Sequence, residues 1–292
     1  MDFRLTEDQK ALRRGVRDLL AGRFDREALR AAVDFGGTLD RDLWRELGAA
    51  GFFALRLPEE EGGVGLGLPE AVLVFEEAGR VLLPGPLVAT HLAAGAVPGA
   101  AEGAVVVTAV DEGLVPWLDE ADVVLGDAEG AVPIRSVDPL TPLHRVPVPA
   151  PTGDGGAAGL EAVLLTAAEQ VGSADATTGA AVSHAREREQ FGQVIGGFQA
   201  VKHLCAGMLV RTELARAAVR AASLTADPVE IAGAKLLADE AATANARDCL
   251  QVHGGMGFTW EADVHLHLKR AWVRAELRLP AARAEEAVAA GL

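Results

Sequence analysis

Apolar residues recur at helical spacing from the start of the chain. Leu12, Val16, Leu19 and Leu20 fall three and four apart. Ahead of them Thr6-Glu7-Asp8-Gln9 has the capping-box order, a hydroxyl followed three residues later by Gln. Leu43, Trp44 and Leu47 begin a further helix that Gly51 stops, and Pro69-Glu70 opens another that carries Val72, Phe75 and Ala78-Gly79. Residues 1–100 thus read as an N-terminal helical domain, with Glu59-Glu60-Glu61 in a solvated loop. Over 101–153 the pattern changes. Val105-Val106-Val107, Val123-Val124-Leu125 and Val146-Pro147-Val148 are short β-like runs. Pro133, Pro139, Pro142, Pro147, Pro149 and Pro151 punctuate this small middle domain and confine its strands to edges or ends. From 154 to 292 helical spacing returns. One long helix is expected over 159–188. Phe198, Val201, Cys205, Met208 and Thr212 then share a face. Asp227-Pro228-Val229-Glu230 supplies an N-cap, a proline at the first helical position and an acid in the first turn. That helix is expected to reach Cys249-Leu250, and a last strong one runs from 261 to about 279. Four long helices with short links predict a C-terminal four-helix bundle, so the fold class is mainly α.

Half of the 292 residues are hydrophobic, enough for a large core and two or three domains. No charge-free window of eighteen apolar residues suggests a membrane span. The first residues lack the basic-then-apolar order of a signal peptide. Cys205 and Cys249 both lie in helical apolar patterns, which fits free thiols in a reducing cytoplasm. The net charge of −15 argues against general nucleic-acid binding. It also requires that any anionic ligand be held by local donors.

Two segments carry the candidate chemistry. The first is Gln251-Val252-His253-Gly254-Gly255-Met256-Gly257-Phe258, where three glycines in four residues break a long helical pattern. Such a loop is either an ordinary glycine turn or a place where backbone approaches a ligand and offers it N–H groups. The second is Arg186-Glu187-Arg188-Glu189-Gln190-Phe191-Gly192, followed by Gly196-Gly197-Phe198-Gln199-Ala200. His265-x-His267 with Asp263 suggests a metal, but residues two apart on a helix do not share a face. Nor do the two distant cysteines have zinc spacing.

Together these segments closely resemble the C-terminal domain of the flavin-dependent acyl-CoA dehydrogenases, in order and in separation. Leu57-Pro58-Glu59-Glu60-Glu61-Gly62-Gly63-Val64-Gly65-Leu66 with Glu76-Glu77-Ala78-Gly79 is similar to that family's N-terminal domain. The resemblance covers most of the chain apart from about fifty residues in the middle. It implies FAD as cofactor and α,β-desaturation of an acyl-CoA as the reaction. It places Arg188 against the flavin dinucleotide's pyrophosphate across a subunit boundary, a role that suits guanidinium's fixed fork of donors. Gln190, Phe191 and Gln199 match positions near the same dinucleotide, although Phe191 fits a core position equally well. Gln251, Gly254 and Gly255 match the loop at its adenosine–pyrophosphate end.

Three family features are missing. The middle domain is about half the usual size. The Trp-x-Thr element beside the flavin ring is not recognisable. The two family positions of the catalytic glutamate fall on Ala162 and Arg278. Glu161 and Glu276 lie one and two residues away, and on a helix such offsets turn a side chain by about 100° and about 200°. The resemblance therefore points to a base-lacking subunit of a heteromeric, α2β2 dehydrogenase like those of actinobacterial steroid side-chain degradation. Its partners would be a longer dehydrogenase subunit and an electron-transfer flavoprotein or similar acceptor. The alternatives are a self-sufficient homo-oligomer using Glu161 or Glu276, and a non-catalytic assembly subunit.

Overall fold

The computed structural model describes residues 4–147 and 156–291, with side chains described from 159 onward in the second stretch. Five helices come first: α1 (Glu7–Arg23), α2 (Arg26–Asp34), α3 (Arg41–Ala49), α4 (Leu68–Arg80) and α5 (Leu87–Ala93). The capping box at Thr6 forms as expected, with Gln9 N donating to Thr6 Oγ1 at 3.1 Å and Thr6 N to Gln9 Oε1 at 3.1 Å. Short strands follow: β1 (Val107–Ala109), β2 (Leu114–Pro116), β3 (Val123–Leu125), β4 (Val132–Ile134) and β5 (Leu143–Arg145). β1 pairs with β3 in parallel, and β2, β5 and β4 form an antiparallel sheet in that order. Pro116 ends one edge strand and Pro133 sits in the other, the places where a missing N–H costs no ladder bond. The bundle then comprises α6 (Gly156–Glu187), α7 (Gln199–Thr225), α8 (Pro228–His253), α9 (Val264–Glu276) and α10 (Ala281–Ala290).

Helices α4 and α6 touch backbone to backbone, and two glycines permit it. A Cβ at Gly79 would overlap the Glu169 carbonyl, and one at Gly172 would overlap the Glu76 carbonyl oxygen. The same crossing carries buried charge. Glu77, 1% exposed, accepts from Arg13 at 2.6 Å and from Arg17 at 2.7 and 2.8 Å, and Glu76 accepts from Arg216 of α7 at 2.9 Å. Burial alone would raise the Glu77 carboxyl, but the hydrogen bonds from Arg17 and Arg13 outweigh it and hold the group below the usual carboxylate range. These pairs join α1, α4 and α7 around the apolar core of Trp44, Phe53, Phe75 and Leu165.

Several elements differ from expectation. The first strand starts at Val107, two residues late. The run at 146–148 is not a strand where it is described; the strand there is β5, just before it. Val148, and the domain boundary expected between 153 and 154, lie outside the described residues. The last expected helix stops at Glu276, because Leu277 is extended and Arg278 takes φ +72°. A separate helix, α10, follows Pro280.

His91 gives the fold a pH dependence. It is buried on α5, with Nδ1 3.0 Å from the Phe53 carbonyl oxygen, which makes Nδ1 the protonated nitrogen of a neutral ring. Burial pushes its pKa down to about 4. Below about pH 6.5 the unfolded chain takes up a proton here that the folded chain refuses, so stability falls as pH drops and levels off near 4. At about 1.4 kcal/mol per pH unit, that amounts to up to about 3 kcal/mol. Urea melts from pH 7 to 4 should show this loss, and His91→Gln should remove one proton from the measured uptake on unfolding.

Candidate functional site

Helix α6 ends, α7 begins and α8 ends at one end of the bundle. A two-residue hairpin, β6 (Glu189–Gln190) with β7 (Gln193–Val194), connects α6 to the turn before α7. The left-handed conformations of Phe191 and Gly192 close it. Arg188 N donates to His184 O at 2.9 Å and Ile195 N to Arg188 O at 2.8 Å, so the arginine's backbone is fixed from both sides. Its side chain is exposed, and its guanidinium has no ion-pair partner among the described residues. A surface arginine paired locally with Glu187 or Glu189 is therefore not what the structure shows; Glu187 accepts instead from Ser183 at 2.9 Å. Phe191 is 92% exposed, with the Phe198 ring edge-on at 6.2 Å between centroids, which removes the core reading left open for it. Gln190 is exposed and turned to the Glu189 carbonyl at 2.7 Å, and Gln199 is exposed as the first residue of α7.

The glycine loop stands beside this hairpin. Gln251 lies exposed in the last turn of α8, and Gly254 leaves the helix with φ +61° and ψ −144°, a conformation a side chain would strain. Nothing lies within 4 Å of a Cβ built on Gly254 or Gly255, so both face open space. Gly257 differs: a Cβ there would crowd His253 and Leu250, and its role is packing. The two halves of the site meet through His184 and His253, whose rings stack 4.1 Å apart. Burial first, then His253 and Arg188, lowers the His184 pKa below the usual imidazole value. Sequence reading missed this pair, although His184 lies four residues before Arg188 and hence on its face of the helix. Beneath lies a small core of Ala181, Ala185, Met208, Cys249 and Leu268, against which Ile195 and Val201 pack. A cleft of about 210 Å³ opens next to the hairpin, lined by Ala185, Arg186, Gly196, Val201 and Lys202 among others. In a chain of net charge −15, this end therefore gathers the cations Arg186, Arg188 and Lys202, none ion-paired among the described residues, around exposed backbone. Local donors of this kind suit an extended anion such as a dinucleotide's pyrophosphate.

The interior where the three layers meet is different. The cavity between α5, the strands, α6 and α9 holds about 50 Å³, room for a few waters and far too little for a flavin ring or an acyl chain. Charged side chains fill its surroundings. Arg274 donates to Glu169 at 2.7 Å, and Arg270 is bonded to Asp138. Burial raises the Glu169 carboxyl, with Arg274 opposing. Ala162 is buried and carries no acid. Glu161 is held in an ion pair by Arg56. Arg278 donates its backbone N–H to Asp111 at 2.6 Å. The helical offset expected between Glu276 and Arg278 does not apply, because α9 has ended before Arg278; Glu276 simply points outward, exposed.

The two imidazoles of α9 diverge. His267 Nδ1 lies 2.8 Å from Ser173 Oγ, while the His265 ring meets Trp260 edge-on at 4.8 Å. Among the described residues no group of three His, Cys, Asp or Glu side chains could hold a metal ion. Cys205 and Cys249 are free thiols, and burial pushes Cys249 up to about 12, which leaves it unreactive. Among the same residues no helix is long and apolar enough to cross a membrane.

Comparison with known proteins shows the family. Residues 6–103 match the acyl-CoA dehydrogenase N-terminal domain and residues 162–277 the acyl-CoA dehydrogenase C-terminal domain. The acyl-CoA dehydrogenase IpdE2 of Mycobacterium tuberculosis is 38% identical over 302 residues, covering 93% of each chain. In fold, the chain is similar to the ChsE4-ChsE5 complex of Mycobacterium tuberculosis, at TM-score 0.87 and 22% identity, covering 99% of this chain and 98% of that one. It is also similar to the Tcur3481-Tcur3483 steroid acyl-CoA dehydrogenase, at TM-score 0.85 and 24% identity, covering 97% of each. Matched at both ends by the family's domains and along nearly its whole length by IpdE2, the chain belongs to the acyl-CoA dehydrogenases, a family of FAD-dependent flavoproteins.

Proposed function

We propose that this chain is the base-lacking subunit of a heteromeric acyl-CoA dehydrogenase, and that it supplies contacts to the FAD tail in a site completed by a longer partner chain. The observation that carries this reading is the contrast between the two regions above. The cationic, glycine-rich end of the bundle is open to the outside, while the cavity between the layers, at about 50 Å³, is too small for a flavin ring or an acyl chain and is ringed by ion pairs. Arg188, Gln190, Phe191 and Gln199 on the hairpin side, and Gln251, Gly254 and Gly255 on the loop side, would hold the dinucleotide. Open space over Gly254 and Gly255, and an unpaired guanidinium at Arg188, are what such a ligand needs. When bound, the flavin accepts the hydride of the desaturation; this chain's part is to orient it.

A partner is supported by the surface as well. Leu209, Val210 and Leu214 expose an apolar stripe on α7, and Met256, Phe258 and Trp260 stand exposed by the loop. Large exposed apolar groups so grouped mark interaction surfaces. The family's reaction, α,β-desaturation of an acyl-CoA, is the activity proposed for the assembly. A steroid side-chain CoA is the proposed substrate class, supported by the likeness to the Tcur3481-Tcur3483 steroid enzyme.

The competing reading is a self-sufficient enzyme whose base is Glu161 or Glu276. Arg56 neutralises the first, and the second lies outside the cavity. Replacing both, as Glu161→Gln with Glu276→Gln, should leave acyl-CoA turnover by the assembly within a few-fold, measured with an artificial electron acceptor at saturating flavin. Loss of a true general base costs at least roughly 10²–10⁴-fold. A hundred-fold loss with intact assembly would move the base onto this chain.

A further inference from the structure

The glycine loop is tied down on both sides. On the upstream side, His253 ends α8 with its ring stacked on His184 of α6. On the downstream side the tie comes from α2, which belongs to the part of the chain that matches the N-terminal domain. Arg26, 237 residues before Asp263, donates from Nε to Asp263 Oδ2 at 2.6 Å and from Nη2 to the Glu261 carbonyl oxygen at 2.8 Å. Arg30, one turn further along α2, pairs with the other oxygen of the same carboxylate. Asp263 stands at the N-cap of α9, where an aspartate ordinarily accepts from first-turn N–H groups. It makes no such bond; its carboxylate is turned to α2 instead. Between this clasp and the glycines the chain is held at each step. Trp260 has the His265 ring edge-on and Lys269 Nζ 4.4 Å from its centroid, so it rests on α9. Thr259 bonds back to the Met256 carbonyl oxygen, from N at 3.0 Å and from Oγ1 at 2.8 Å.

We infer that Arg26, Arg30 and Asp263 are positioning residues for the flavin-tail site: the clasp from α2 holds the glycine loop in the shape that receives the dinucleotide, and acts through the loop rather than on the ligand. This rests on the reading of Gly254 and Gly255 as flavin contacts. Arg26 is exposed, and ion pairs so placed add little to the stability of a fold. Their effect on a loop is different. Three glycines in four residues leave the backbone more freedom to lose than other residues would. A ligand that must order such a loop binds more weakly than one that meets it already ordered.

Two measurements test this. The first is FAD titration of the apo assembly, co-purified with its longer partner, for the parent, Arg26→Ala, Asp263→Ala, the double variant and Arg188→Ala. Arg26→Ala and Asp263→Ala should each weaken binding roughly three- to thirtyfold. The double variant should lose less than the product of the two, because both cut one contact. The second is amide hydrogen exchange on the full chain without FAD. In Asp263→Ala, exchange over 254–262 should quicken roughly tenfold, while the slow amides of α6 and α8 and the urea midpoint stay where they are. That measurement needs no partner, so it decides the matter even where a variant fails to assemble. Parental FAD affinity in both single variants, with Arg188→Ala weakened, would overturn the proposal and leave the tail site standing. Parental affinity in all three would take the tail site with it. Single effects that multiply in full would overturn the shared contact. Faster exchange throughout the chain, with a lowered urea midpoint, would make the clasp a tie of the fold and nothing more.

Discussion

Asp138→Ala should destabilise the chain by about 3–5 kcal/mol, the cost of leaving one member of a buried ion pair without the other. Asp138 is fully buried between the strands and α9. Its carboxylate takes the Arg270 guanidinium, the Thr141 hydroxyl at 2.6 Å and the Leu140 N–H at 3.1 Å. Arg270, 1% exposed, has among the described residues otherwise only the Leu83 carbonyl at 3.3 Å. Removing the carboxylate strands a cation at the point where helical layer, strands and bundle meet. The double variant Asp138→Ala with Arg270→Met should recover most of the loss, because an apolar replacement of both partners removes the unpaired charge. Equilibrium urea denaturation of the parent, Asp138→Ala, Arg270→Met and the double variant would measure this. If the single variant were as stable as the parent, the pair would not be the tie between layers described here.

Arg188→Ala should weaken flavin binding by the assembled enzyme roughly ten- to a hundred-fold, about 1.5–3 kcal/mol for a charge-assisted contact to phosphate. Fold and assembly should be unchanged, since the side chain is exposed and makes no hydrogen bond or ion pair among the described residues. Arg188→Lys should recover only part, because an ammonium cannot reproduce the planar fork. Flavin titration of the apo assembly separates these outcomes. Unchanged affinity in the alanine variant would leave Arg188 a surface residue and shift the tail site elsewhere.

The features legible in the sequence were local ones. The caps at Thr6 and Asp227, the face of α7 and the length of α6 all follow from spacing and first-turn chemistry, and each stands in the structure. Arg188 and the glycines could be singled out because a motif preserves local order. What failed was of two kinds. The helix expected to run to 279 overran its stop, although Pro280 restricts the residue before it and warns of an end nearby. The ten-residue α10 beyond Pro280 was not read from the sequence. The rest was never local. His184 and His253 are brought together only by packing α6 on α8. The collapse of the interior cavity depends on pairs such as Glu169 with Arg274, far apart in the chain.

The account's central claim is that this chain completes a flavin site rather than containing one. The direct measurement is flavin content after desalting. The chain would be purified alone and co-purified with a longer acyl-CoA dehydrogenase chain of the same genome, each with excess FAD supplied. Alone, it should emerge colourless. Together, the two chains should co-elute as one heteromer, carry flavin stoichiometrically and desaturate an acyl-CoA. A yellow, stoichiometrically loaded protein from this chain alone, turning over an acyl-CoA without a partner, would contradict the account.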